Sequence, residues 1–125
     1  MRRASAQYDL NGREYPSAVG RPFYYAAMNE ITPTQLFSLG TNVQIIDVRE
    51  PDEVAAVRIP WAKNVPLSEF SERLDEVPVG AYIMCKAGGR SARAVQYLER
   101  LGRDATNVSG GMDEWEGAGY PVERD

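Results

Sequence analysis

From residue 29 onward the chain alternates between short β-rich apolar runs and segments whose apolar residues recur at helical spacing; the residues before it show neither pattern. Val43-Gln44-Ile45-Ile46-Asp47-Val48 reads as a buried strand, Ala62 to Val65 as a short strand that stops at Pro66, Ala81 to Met84 as an apolar strand leading into Cys85, and Ala105 to Val108 as another. Helical segments lie between them. Thr32-Pro33-Thr34-Gln35 has the form of a capping box, with Thr32 as N-cap, Pro33 as first helical residue and Gln35 reaching back; Ile31 and Leu36 form a hydrophobic staple, and Gly40 stops the helix. A second short helix starts at Glu50-Pro51-Asp52-Glu53, with acids in its first turn. Ser68 caps a third, with Phe70, Leu74 and Val77 at i, i+4 and i+7. The clearest helix runs from Ser91 to Leu101, where Ala94, Val95, Leu98 and Leu101 line one face and Gly102 follows as a stop. Ser109-Gly110-Gly111 is a turn, and Met112 to Glu116 makes a final short helix. Strands alternating with helices predict an α/β sandwich around a mostly parallel sheet. In such folds function gathers at the carboxyl ends of the strands. Two segments bring chemical groups there: Asp47-Val48-Arg49-Glu50, and Cys85 to Arg90.

The length of 125 residues fits a single domain, drawn here as residues 28–125 behind an N-terminal extension of residues 1–27. The extension reads as a flexible segment, or as one whose Phe23, Tyr24 and Tyr25 dock on the domain or on a partner. A net charge of −4 argues against a nucleic-acid partner. No segment is long and apolar enough to span a membrane, and no apolar stretch follows Arg2 and Arg3 to make a signal peptide. With one free cysteine, a reducing, cytoplasmic location is the expectation.

The residues that are missing narrow the chemistry further. The chain has no histidine, which removes Cys-His and Ser-His nucleophile pairs, histidine metal ligands and a histidine base. It has one cysteine, Cys85, so neither an internal disulfide nor a CxxC pair can form. In Cys85-Lys86-Ala87-Gly88-Gly89-Arg90-Ser91 that thiol stands between a strand and a helix. The helix start turns unsatisfied N–H groups toward the loop, and Gly88 and Gly89 let successive amides point inward as an anion nest. Lys86 and Arg90 add positive charge. Such settings lower a thiol pKa from about 8.5 into the range of about 3.5 to 7.5. The same residues are open to a plainer reading, a buried inert cysteine closing a strand ahead of a glycine turn.

Four separated motifs in this order resemble the rhodanese family, over about Asn29 to Val122: Ile45-Ile46-Asp47-Val48-Arg49-Glu50; Ile59-Pro60 and Ala62 with Asn64-Val65-Pro66; the Cys-x-x-Gly-x-Arg loop from Cys85 to Arg90; and Gly110-Gly111 followed by Trp115. The resemblance implies a three-layer α/β sandwich with a five-stranded, mainly parallel sheet flanked by helices. It implies a sulfurtransferase reaction, in which the Cys85 thiolate takes the outer sulfur of a small anionic donor such as thiosulfate and passes it as a persulfide to cyanide or to a thiol, including one on a protein. No metal or organic cofactor is implied, and no histidine base is needed. Residue by residue, it makes Cys85 the nucleophile and the amides of Lys86, Ala87, Gly88, Gly89 and Arg90 the sulfur cradle. Arg90 would brace the loop and Lys86 attract an anionic donor. Asp47 and Arg49 support the loops by ion pairs, and Ser91 opens the following helix. The family's Gly-His-Ile-Pro-Gly is Val57-Arg58-Ile59-Pro60-Trp61 here, which places Arg58 as an added cation at the rim. Trp61 and Trp115 read as packing residues.

Two other functions fit parts of the pattern. Phosphatases of related architecture use a Cys-x5-Arg loop, and this loop is one residue shorter. A sulfur-relay or protein-binding module with little turnover of its own is the third reading; the presence of both Cys85 and Arg90 favours catalysis over mere binding.

Overall fold

The computed structural model describes residues 28–125 and, before them, the paired strands β1 (Gln7–Tyr8) and β2 (Glu14–Tyr15), which run antiparallel. Phe23, Tyr24 and Tyr25, and the docking expectation attached to them, lie outside the described residues. The elements that follow are β3 (Glu30–Ile31), α1 (Pro33–Ser38), β4 (Ile45–Asp47), α2 (Pro51–Ala56), β5 (Lys63–Asn64), β6 (Ala81–Met84), α3 (Gly89–Arg100), β7 (Ala105–Val108) and α4 (Gly111–Gly117). Strands β3 to β7 form a five-stranded sheet in the order β3-β7-β6-β4-β5, and every neighbouring pair in it is parallel.

Side-chain alternation along the central strands divides the core into two halves. Ala81, Ile83 and Cys85 point to one side with Ile46 and Ala105, where Ala94, Val95 and Leu98 of α3 cover them together with Phe70 and Val77. Met84, Ile45 and Val108 point to the other side, under Leu36 of α1 and Met112 and Trp115 of α4. The result is the expected α/β three-layer sandwich. The fully buried Trp115 anchors the second half, edge-on to Phe37, Trp61 and Tyr120, with its indole N–H donating to the Pro121 carbonyl at 2.8 Å. Among the described residues no helix is long and apolar enough to cross a membrane.

Several local expectations need correction. The segment after Pro66 is not an α-helix capped by Ser68 but two 3-10 segments, Leu67–Glu69 and Ser71–Glu76, with Arg73 out of helical geometry inside the second. Tight i→i+3 bonds suit a short run confined between Pro66 and Pro78, and they still bury Phe70 and Val77. The Ser68 hydroxyl donates instead to the Glu50 carboxylate at 2.8 Å. Leu101 is half exposed, because α3 has ended at Arg100 and turned it off the apolar face. Strand β3 carries no alternation to betray it; its pairing with β7 alone defines it.

Candidate active site

Strand β6 lies at the middle of the sheet and delivers Cys85 to its carboxyl end. Helix α3 begins at Gly89, two residues earlier than the apolar pattern indicates, because Gly88 serves as N-cap at φ +108°, a left-handed conformation that glycine adopts without strain. The early start makes Ser91 an interior residue of the first helical turn. Its side chain is buried and its hydroxyl lies 3.3 Å from Cys85 Sγ. The Gly88 N–H donates to the same sulfur at 3.1 Å. Burial pushes the Cys85 thiol up, but the Ser91 hydroxyl and the N–H groups of Ser91, Gly88 and Ala87 together hold it below the usual thiol value. Cys85 as a residue is 1% exposed, and its sulfur is faced by the Gly88 N–H on the side of its own loop.

Ser91→Ala removes one of those donors without changing the backbone. The midpoint of the rate–pH curve for Cys85 alkylation should then move to higher pH, since losing a donor to the thiolate favours the protonated form. An unchanged midpoint would mean that the hydroxyl does not stabilise the charge.

The loop is fixed from two sides. On one side, the N–H groups of Met112 and Asp113 at the start of α4 donate to the carbonyls of Cys85 and Lys86, both at 2.9 Å. On the other, Arg90 makes a two-pronged ion pair with Glu53 of α2, Nη1 to Oε1 at 2.6 Å and Nη2 to Oε2 at 2.9 Å. That Arg90 pairing holds the Glu53 carboxyl down at about 2 and raises the guanidinium in turn. Glu53 Oε1 also accepts the Glu50 N–H at 3.1 Å.

Beneath this layer the fully buried Asp47 at the end of β4 accepts from Arg49 Nη2 at 2.8 Å and from Nε at 3.0 Å. Arg49 continues to the carbonyl of Val57, the C-cap of α2, and to that of Glu53 within the helix. A cation there complements the helix dipole. Asn64 of β5 ties the same turn down, its side-chain amide donating to the carbonyls of Asp47 and Arg49 at 2.8 Å each.

Not every expected residue sits as anticipated. Lys86 is exposed, and its ammonium is paired with Asp113 at 2.9 Å. Arg58 presents no free charge: its guanidinium pairs with Glu123 and Asp125 and donates to the Val54 and Ala55 carbonyls, so it fastens the end of the chain to α2. Glu53, Asp113 and Asn64 were missed by the sequence reading. Glu53 stands among the first-turn acids of α2, but its partner is 37 residues away; Asn64 belongs to the Asn64-Val65-Pro66 motif, which does not tell that its amide ties down the Asp47–Arg49 turn.

A family model described as the rhodanese-like domain matches residues 35–118. The chain belongs to the rhodanese-like domain family. The putative sulfurtransferase YtwF of Bacillus subtilis is 37% identical over 79 residues, 62% of this chain and 77% of that protein. The putative sulfur carrier protein YrkF of Bacillus subtilis is 34% identical over 79 residues, 61% of this chain and 43% of that protein. A crystal structure of a rhodanese-like domain protein from Staphylococcus aureus superposes with a TM-score of 0.69 at 39% identity, over 78% of this chain and 99% of that one. This rhodanese-like domain thus has relatives named for sulfur transfer and for sulfur carriage.

Proposed function

We propose that residues 28–125 form a cytoplasmic sulfurtransferase domain that moves a sulfane sulfur through a persulfide on Cys85. The convergence of the Gly88 N–H and the Ser91 hydroxyl on Cys85 Sγ supports this reading, because both stabilise a thiolate without a base. In the first half-reaction the thiolate attacks the outer sulfur of a donor such as thiosulfate. A new S–S bond forms, the donor's S–S bond breaks, and its electron pair leaves on sulfite. In the second, cyanide or a thiolate attacks the outer sulfur of the persulfide and returns Cys85 to its starting charge. The acceptor thiol can be carried by a small molecule or by a partner protein.

The roles then follow the geometry. Cys85 is the nucleophile, and the amides from Lys86 through Arg90 are the cradle for the sulfur anion. Arg90 braces the loop through Glu53, and Asp47 with Arg49 holds the floor below it. Burial of Cys85 limits the access of bulk water to the reacting sulfur. Two features favour sulfur over phosphate: the loop has Cys-x4-Arg spacing, and both terminal nitrogens of Arg90 are engaged by Glu53 rather than free to clasp a tetrahedral oxyanion.

Intact mass after incubation with thiosulfate tests the proposal. The wild type should gain one sulfur atom, lose it again to cyanide, and hydrolyse no aryl phosphate. Cys85→Ser should gain nothing. Turnover by Cys85→Ser, or phosphatase activity without sulfur loading, would refute it.

A further inference from the structure

We infer that Glu53 and Asp113 are specificity-determining residues that suit the Cys85 loop to a sulfur donor carrying a single negative charge, in preference to a dianion. The inference rests on the sulfurtransferase reading above. The loop itself contributes two cations, Lys86 and Arg90, and each is matched by a carboxylate from another element: Asp113 of α4 on Lys86 at 2.9 Å and Glu53 of α2 on Arg90 at 2.6 Å. The two pairs cancel, so an ionised Cys85 leaves the loop with one net negative charge. The Gly88 N–H, a peptide donor that could hold an anion, is already turned on that sulfur. A monoanionic donor brings its reacting sulfur into a loop with donors enough for one charge. The second charge of thiosulfate finds no unpaired loop cation, and is repelled by the thiolate and by the exposed Asp113.

Persulfides and thiosulfonates are donors of the favoured class. With methanethiosulfonate the Cys85 thiolate attacks the outer sulfur, the Cys85–S–S⁻ bond forms, the donor's S–S bond breaks, and the pair leaves on methanesulfinate. This donor replaces one charged oxygen of thiosulfate by a methyl group of similar size and leaves the sulfane sulfur unchanged.

The test measures kcat/KM for thiosulfate and for methanethiosulfonate at low ionic strength, with cyanide as acceptor, in the full chain and in Asp113→Asn and Glu53→Gln. Removing one negative charge several ångströms from the donor should raise the thiosulfate value on the order of five-fold and the methanethiosulfonate value only about two-fold. The change in their ratio should disappear at roughly 0.5 M salt, where the Debye length is a few ångströms. Asp113→Asn is the cleaner variant, because the Asp113 backbone N–H, which holds the Lys86 carbonyl, is retained. Equal changes for both donors, or none, would overturn the inference while leaving sulfur transfer intact. A wild type that turns over neither donor and gains no sulfur would take the sulfurtransferase reading down with it.

Discussion

Gly111→Ala is expected to lower stability by about 3–5 kcal/mol and sulfur transfer by roughly 100-fold, a larger loss than its two added-on hydrogens and one carbon suggest. Gly111 opens α4 at φ +53°, in the left-handed region. A Cβ there would lie 2.4 Å from the Cys85 carbonyl oxygen, 2.6 Å from that of Lys86 and 2.7 Å from the Lys86 carbonyl carbon. All three are backbone atoms, which cannot rotate aside. The same turn holds the loop, through the bonds from Met112 and Asp113 to those two carbonyls. Relief of the clash therefore has to move either α4 or the peptides that lead into Ala87 and Gly88, and the latter aim at the sulfur. Gly117→Ala, at the far end of the same helix, meets nothing within 4 Å and has no positive φ. It should be neutral or stabilise by about 0.5–1 kcal/mol, through helix propensity. Thermal melts and steady-state rates on the two variants separate the close approach from a general intolerance of alanine in α4. Equal stability of the two would mean that the backbones are not in contact.

The alternation that makes this contact possible was legible in the sequence, while the contact was not. The run Ala81 to Met84 followed by a glycine-bearing loop and a periodic helix is a local pattern, so β6, the loop and α3 could be placed from the chain alone. The Thr32–Gln35 box is equally local, and both of its bonds form, at 3.1 and 2.9 Å. What escaped depends on chain segments far apart. Lys86 reads as a free cation until α4 brings Asp113 from 27 residues away. Arg90 finds Glu53 only because α2 and α3 follow the carboxyl ends of the neighbouring parallel strands β4 and β6. Gly110-Gly111 reads as a turn, whereas the constraint on Gly111 comes from Cys85 and Lys86, which β6 carries to it. The start of α3 was misplaced for a different reason. Ser91 looks like an N-cap by residue type, but Gly88 takes that position by left-handed geometry, and Ser91 is left to face the sulfur.

Arg49→Met should destabilise the fold by about 3–5 kcal/mol, because it strands the buried carboxylate of Asp47 without its counter-ion. Asp47 and Arg49 are 2% and 3% exposed at their side chains, so water cannot replace the lost partner. The Asp47 carboxylate accepts from the Arg49 backbone N–H at 3.0 Å and otherwise, among the described residues, from the Arg49 guanidinium. The carbonyls of Val57 and Glu53 lose a donor as well, on the short helix that carries Glu53 toward Arg90. Arg90→Met offers the contrast. Its partner Glu53 is 29% exposed and can rehydrate, so the loss there should be only about 1 kcal/mol. A double variant, Asp47→Asn with Arg49→Met, removes the stranded charge and should regain part of what Arg49→Met alone gives up. Denaturant midpoints at a common m value read all three. The ordering is the informative result: if Arg49→Met were no worse than Arg90→Met, the floor of the loop would be held by packing rather than by the buried ion pair. The activity of Arg49→Met would then have to be explained without any link from β4 through α2 to the Cys85 loop.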